Sequence, residues 1–225
     1  MRDENQRYAE LSEKDRSGPV SSDYSSDFFA GLRRSARNAL LDYFDYSVTV
    51  DTLWCDVACN NGYNLKDIQR RGAQIKGVDL CANAVAIARQ NGLDAHVGSM
   101  TELSFSDNEF DVTVLMEALY HVSPDDQILA MAENIRVTKP GGIVVHVTTN
   151  LDSILRRFRP SDMHRYGYDL NEINDFFVST GAEGAVVFPR FPFGWGLSAG
   201  PAESMLTPTR LALFPVVGMA WRMPA

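Results

Sequence analysis

A chain of 225 residues, 45% hydrophobic and 22% charged, can bury one sizeable core and is sized for a single domain. Its formal net charge of −8 opposes the phosphate backbone of DNA or RNA, so no nucleic-acid partner is expected. Three cysteines cannot build a disulfide framework, and the longest apolar run, Leu211–Trp221, is too short for a membrane span and contains Pro215.

Taken in chain order, residues 1–21 are polar, carry charges of both signs and lack the apolar stretch of a signal peptide, so a cytoplasmic protein is expected. From Ser25 to Tyr46 the residues Phe28, Phe29, Leu32, Ala36, Ala39, Leu40 and Tyr43 recur at helical spacing. That spacing predicts a helix with Arg33, Arg34 and Arg37 mostly outside its buried face. Thr52–Val57 reads as a strand, Ala58–Gly62 as a tight turn, and the residues from Tyr63 as a helix that stops at Gly72. The turn sets Ala58, Asn60 and Gly62 at alternate positions, and Asn tolerates left-handed backbone better than most residues.

Ala73–Leu80 is a second strand, Ala82–Gln90 a helix closed by Asn91-Gly92, Asp94–Val97 a short strand and Phe110–Met116 a fourth. Ser123-Pro124-Asp125-Asp126 carries a capping hydroxyl, a first-position proline and first-turn acids. The helix it opens should turn Ile128, Met131, Ala132 and Ile135 inward. Lys139-Pro140-Gly141-Gly142 should break that helix before a fifth strand, Gly142–Thr149. Further on, Asp169 and Glu172 form a capping box for a helix through Ser179. Ala185–Phe191 and Val216–Trp221 read as strands, with the Pro/Gly-rich stretch Phe193–Pro208 between them.

Strands alternating with helices predict βαβ units, hence an α/β fold with a parallel sheet covered on both faces. Ligands of such sheets sit beyond the C-terminal strand ends, where Asp56, Asp79, Ser99 and Glu117 fall. Asp79 lies 23 positions after Asp56, where a carboxylate can accept both hydroxyls of a ribose. A dinucleotide pyrophosphate site would need glycines where Ala58, Asn60 and Tyr63 stand.

DVACNNG resembles the D-x-G-x-G-x-G turn of class I S-adenosylmethionine-dependent methyltransferases. VDLCANAVAIARQNG, VGSMTELSFSDNEFDVTVLMEALYHV, VTKPGGIVVHVTTN and HRYGYDLNEINDFFVSTGAE follow in the order of that family's later segments, over roughly residues 50–185. The nearest branch includes ubiquinone/menaquinone-biosynthesis methyltransferases. The resemblance implies a Rossmann-like, doubly wound, seven-stranded and mostly parallel sheet with the last strand antiparallel. It also implies S-adenosyl-L-methionine as cofactor and methyl transfer to O, N or C of a small molecule. One domain would span 1–225, with an arm and helix over 1–48, the cofactor-binding half over 49–150 and the substrate side over 151–225.

By position, the resemblance assigns Asp56, Ala58, Cys59, Asn60 and Gly62 to the methionine moiety and Asp79 to the ribose. Leu80, Ser99 and Met100 would flank adenine, with Met116 and Glu117 at the end of strand four. Two turn glycines are replaced by Ala58 and Asn60, the usual capping Ser is Cys81, and the usual adenine-binding acid is Ser99, a weaker acceptor.

A general base is needed only if the acceptor must lose a proton, and His is the usual choice near neutrality. His121, after the fourth strand, and His164, in the substrate segment, are the candidates; His146 and His96 read as structural. Arg156, Arg157, Arg159 and Arg165 would suit an anionic acceptor or simply form a solvated loop. No metal is expected, since Cys55 lies in a strand and nothing is spaced to join it and Cys59. Two alternatives stay open: a non-catalytic or regulatory protein of the same fold, and a nicotinamide-dependent oxidoreductase. The oligomeric state is not encoded in any of these features.

Overall fold

The computed structural model describes residues 28–149, 170–189, 197–206 and 216–225. One sheet runs through them. Its strands are β1 (Leu53–Val57), β2 (Gln74–Asp79), β3 (Ala95–Val97), β4 (Phe110–Met116), β5 (Thr138–Thr149), β6 (Glu183–Pro189), β7 (Leu197–Pro201) and β8 (Val216–Arg222). Their spatial order is β3-β2-β1-β4-β5-β8-β6-β7. The first five strands pair in parallel, whereas β8 runs antiparallel to both β5 and β6, and β7 antiparallel to β6. The chain winds outward from β1 to β3 and then restarts on the other side at β4, which opens a crevice beyond the C-terminal ends of β1 and β4.

The helices are α1 (Phe28–Tyr43), α2 (Tyr63–Arg70), α3 (Ala82–Gln90), α4 (Pro124–Val137), α5 (Leu170–Val178) and the short α6 (Ala202–Met205); a 3-10 turn covers Leu119–His121. Strand alternation divides the core in two. Cys55, Val57, Leu115, Val144 and Trp221 pack on one face with residues of α4 and α5. On the other, Trp54, Val114, Val145 and Ala220 pack with α1, α2 and α3. Asp56, two positions on from Trp54 and so on the same face of β1, is a carboxylate buried beside these apolar clusters.

The sheet has eight strands among the described residues, not seven. The additional one, β7, comes from the Pro/Gly-rich stretch, whose small residues hide the period-2 signal. It lies at the sheet edge, where Pro201 costs no ladder hydrogen bond. Lys139-Pro140-Gly141-Gly142 does not precede β5 but lies inside it. Phe110 pairs with Thr138 and Val112 with Ile143, so these residues form an irregularity in a strand that begins directly after α4.

The start of α4 is as expected, with Ser123 Oγ accepting the Asp126 N–H at 3.2 Å. Its inner face is rotated from the expected one. Gln127, Ala130, Met131, Asn134 and Val137 are buried, while Ile128 is half exposed and Ala132 is exposed. Polar side chains can take the inner positions because their amides find backbone acceptors: Gln127 Nε2 donates to Val122 O and Asn134 Nδ2 to Ala130 O. Asp169 lies outside the described residues, so its capping role does too.

In α1 the expectation for Arg37 is reversed: it is 0% exposed. The inner stripe includes Arg37, Leu41 and Phe44, spaced i, i+4, i+7. A guanidinium is admitted there because partners meet it, as described below.

His146 on β5 is a core residue, as its alternation with valines predicts. Its ring stands edge-on to Phe177 and Trp221, with centroids 5.5 and 5.4 Å away, and neither ring nitrogen has a hydrogen-bond partner among the described residues. Burial pushes the imidazole down to about 3. Below the unfolded value of about 6.5 the unfolded chain therefore takes up a proton that the native state refuses, and stability falls with falling pH. His146→Leu should stabilise the protein more at about pH 5 than at about pH 8, by about 2 kcal/mol, as read by urea unfolding at both pH values.

Candidate active site at the C-terminal strand ends

The turn between β1 and α2 is built from left-handed backbone. Ala58 has φ 60°, Asn60 φ 53° and Gly62 φ 86°. At Gly62 a side chain is excluded twice, by that φ and because a Cβ would overlap the Leu93 side chain beyond α3. Asn60 tolerates its conformation with a local bond, its Oδ1 accepting the Asn61 N–H at 2.6 Å. Ala58 has no such compensation in its methyl side chain. Strain concentrated in one turn at the end of a central strand is what functional sites carry.

Asp79, the last residue of β2, is 6% exposed and ties this turn to the next helix. Its Oδ2 accepts the Asn60 N–H at 2.7 Å and its Oδ1 the Cys81 N–H at 2.8 Å, so each oxygen keeps one further acceptor position. Cys81 stands at the N-cap of α3 without a side-chain cap bond, and it is its backbone N–H that joins the head of this helix to Asp79. Gly98, after β3, donates its N–H to Asp79 O at 3.1 Å and brings the following loop alongside. In that loop Ser99 Oγ lies 2.8 Å from Thr101 Oγ1 and accepts the Thr101 N–H.

Asp56 is 2% exposed. Its Oδ1 accepts from Asn64 Nδ2 at 3.1 Å, and its buried Oδ2 has no partner among the described residues. Arg37 donates to Asn64 Oδ1 and, at 2.5 Å, to Asp67 Oδ2, with Asn38 Oδ1 at 3.0 Å. Burial pushes the Asp56 carboxyl up to about 7; the Asn64 bond and the Arg37 charge oppose that rise, and the Asp79 charge adds to it.

At the end of β4, Glu117 has φ 57°. Its carboxylate meets Arg33 of α1 at 3.2 Å and accepts from Tyr120 Oη at 2.6 Å. Arg33 and Arg37, one helical turn apart, thus reach the ends of adjacent strands β4 and β1. His121 sits beside this group, its ring edge-on to Tyr120 at 4.5 Å.

The residues singled out in the sequence stand at the C-terminal ends of four adjacent strands: Asp56, Ala58, Cys59, Asn60 and Gly62 at β1, Asp79 and Leu80 at β2, Ser99 and Met100 beyond β3, Met116 and Glu117 at β4, with His121 in the 3-10 turn that follows. Their side chains do different things. Cys59 is buried, its thiol pushed well up by burial, and it packs close to Gly77. Ala58 and Met100 pack against one half of the core and Met116 against the other. His96 stays outside the group, paired with Asp94 at 2.8 Å. His164, Arg156, Arg157, Arg159 and Arg165 lie outside the described residues. Sequence reasoning missed Arg33, Arg37, Asn64 and Tyr120; the stripe of Arg37 with Leu41 and Phe44 was the available signal for one of them.

Among the described residues no group of three or more His, Cys, Asp or Glu side chains could hold a metal, and no helix is long and apolar enough to cross a membrane. Cys55, Cys59 and Cys81 are free, buried thiols.

Residues 55–146 match the family described as "Methyltransferase domain". The chain is 34% identical over 102 residues to a ubiquinone biosynthesis O-methyltransferase of Alkalilimnicola ehrlichii, covering 42% of this chain and 40% of that one. It is 30% identical over 113 residues to the probable tRNA methyltransferase 9B of Mus musculus, covering 50% of this chain and 25% of that one. A solved structure from Thermotoga maritima, an S-adenosylmethionine-dependent methyltransferase and possible histamine N-methyltransferase, superposes with a TM-score of 0.61 at 18% identity. It covers 85% of this chain and 91% of that one, a likeness of fold. The chain spans about two fifths or less of the curated relatives it matches.

Relieving the left-handed alanine should be measurable. Ala58→Gly is expected to stabilise the protein by about 1 kcal/mol, and Asn60→Ala, which loses both the tolerant residue and its local bond, to destabilise it by at least about 1 kcal/mol. Denaturant midpoints of the two variants against the parent check both signs.

Proposed function

We propose, from the premise that this chain belongs to the class I S-adenosylmethionine-dependent methyltransferases, that it transfers a methyl group to a small-molecule acceptor, with oxygen the first acceptor atom to test. The observation that carries this reading is the pair of buried carboxylates at neighbouring strand ends. Asp79 has acceptor capacity to spare beside the turn, and Asp56 has one unpartnered oxygen. The donor set fits the cofactor, which presents ribose hydroxyls and an ammonium to such acceptors.

S-adenosylmethionine, when bound, supplies an electrophilic methyl group on a sulfonium. Asp79 would accept from the ribose hydroxyls, Asp56 from the ammonium, and Leu80, Ser99 and Met100 would flank adenine. The left-handed turn lets its backbone approach closely. Glu117, braced by Arg33 and Tyr120, would border the space where an acceptor enters. His121 is the group we assign to take a proton from an acceptor that must lose one. Holding acceptor and methyl in line supplies about 7–11 kcal/mol in reactions of this kind, so positioning is the chain's main task.

We read the chain as one domain, with residues 49–150 holding the cofactor and residues 1–48 and 151–225 shaping the acceptor pocket. The net charge of −8 supports a small acceptor rather than an RNA, and the arginines at 156–165 support an anionic one. We place the reaction in the cytoplasm, where three free thiols stay reduced.

Calorimetric titration with S-adenosylhomocysteine is the direct test. Micromolar binding that weakens at least about 10-fold in Asp79→Ala is expected, followed by turnover in a screen of phenolic and carboxylate acceptors. Absence of both binding heat and thermal stabilisation in the parent protein would overturn the cofactor reading. Binding without turnover on any acceptor would favour a regulatory protein of this fold.

A further inference from the structure

We propose that Arg37 and Asn64 are positioning residues of the cofactor site, orienting Asp56 so that one carboxylate oxygen is held and the other is presented to a cationic N–H donor. This rests on the reading that the site takes S-adenosylmethionine. It also makes helix α1, whose N-terminal neighbour segment carries no recognisable motif, part of the binding machinery.

Hydrogen-bond polarity fixes the arrangement of these three side chains. A guanidinium only donates and a carboxylate only accepts. An amide placed between them has a single satisfying orientation: its oxygen toward Arg37, its nitrogen toward Asp56. The contacts are of that kind, with Arg37 donating to Asn64 Oδ1 and Asn64 Nδ2 donating to Asp56 Oδ1 at 3.1 Å. Arg37 is itself anchored, because Asp67 Oδ2 and Asn38 Oδ1 take its other nitrogen. The relay leaves Asp56 with its Oδ1 engaged and its Oδ2 buried without a partner among the described residues. A buried oxygen in that state costs free energy that an arriving donor recovers.

A purely structural reading of Arg37 is harder to sustain. Its neighbours on the same helical stripe, Leu41 and Phe44, are apolar, and an apolar residue at 37 would avoid desolvating a guanidinium. The groups facing Asp56 from the packed elements are Arg37 on α1, Asn64 on α2, Asp79 on β2, Cys59 in the turn and Cys55 on its own strand. β4 presents Val114 opposite it and β2 presents Gly77. Of these only Arg37 and Asn64 favour the ionised carboxylate.

The relay therefore keeps Asp56 ionised at a lower pH than burial alone would allow, and the ionised form is what an ammonium needs. Cutting the relay at either end should displace the pH dependence of binding upward rather than only lower the fold's stability.

The test is S-adenosylhomocysteine binding by calorimetry on the full chain from about pH 6 to about pH 8, for the parent, Arg37→Met and Asn64→Ala, with melting followed in parallel. The parent should bind more tightly as pH rises. Both variants should bind about 10-fold more weakly than the parent at the acid end and approach its affinity at the alkaline end, their rise displaced upward. Asn64→Ala keeps the Arg37–Asp67 pair, so it carries the test if Arg37→Met does not fold.

A loss by the same factor at every pH, or binding unchanged in the variants while melting falls, would overturn the proposal and leave a structural role. A parent protein that binds no S-adenosylhomocysteine at any pH would overturn the cofactor reading itself, and this proposal with it.

Discussion

Asp79 accepts hydrogen bonds from two backbone amides brought to it from opposite sides, Asn60 of the turn after β1 and Cys81 at the head of α3. A buried carboxylate bonded in this way is worth more than a neutral contact, because both bonds are charge-assisted and little water competes. The turn's left-handed residues are held against that anchor, and Gly62 must pack on Leu93 without a Cβ for the geometry to close. The loop carrying Ser99 reaches the same place through the Gly98 bond to the Asp79 carbonyl. Three strand ends are thus gathered around one residue.

The fourth strand end is gathered by a different element. Arg33 and Arg37 on α1 reach Glu117 and, through Asn64, Asp56. The two contacts differ in exposure and therefore in consequence. Arg37 is sealed from water and its partners must stay together, since separating them would leave a buried charge unpaired. The Arg33–Glu117 pair keeps partial exposure, and such pairs contribute little to stability. One helix thus carries a rigid attachment and a looser one, side by side, to the ends of β1 and β4.

The match to the methyltransferase family covers residues 55–146, which spans β1 to most of β5, the parallel half of the sheet. The antiparallel half, β8, β6 and β7, lies outside it. This division has a physical sense. On the function we propose, the matched half would hold the cofactor and the elements around it would shape the acceptor pocket. The likeness to solved structures covers both halves but at identities too low to speak to more than the fold.

The sequence by itself determined the alternation of strands and helices, the parallel half of the sheet, the turn at Ala58–Gly62 and the placement of Asp56, Asp79, Ser99 and Glu117 at successive strand ends. All of these are local signals: periodicity, caps and turn residues act within a few positions of one another. Only the tertiary structure decided the edge strand Leu197–Pro201, the rotated face of α4, the burial of Arg37 and the pairing of Asn64 with Asp56. Each of those depends on partners distant in sequence. Arg37 and Asn64 are 27 positions apart, and a polar residue on an apolar stripe looks exposed until its partner is known. Hydrogen-bond satisfaction is a property of the assembled core, and no reading of one segment at a time contains it.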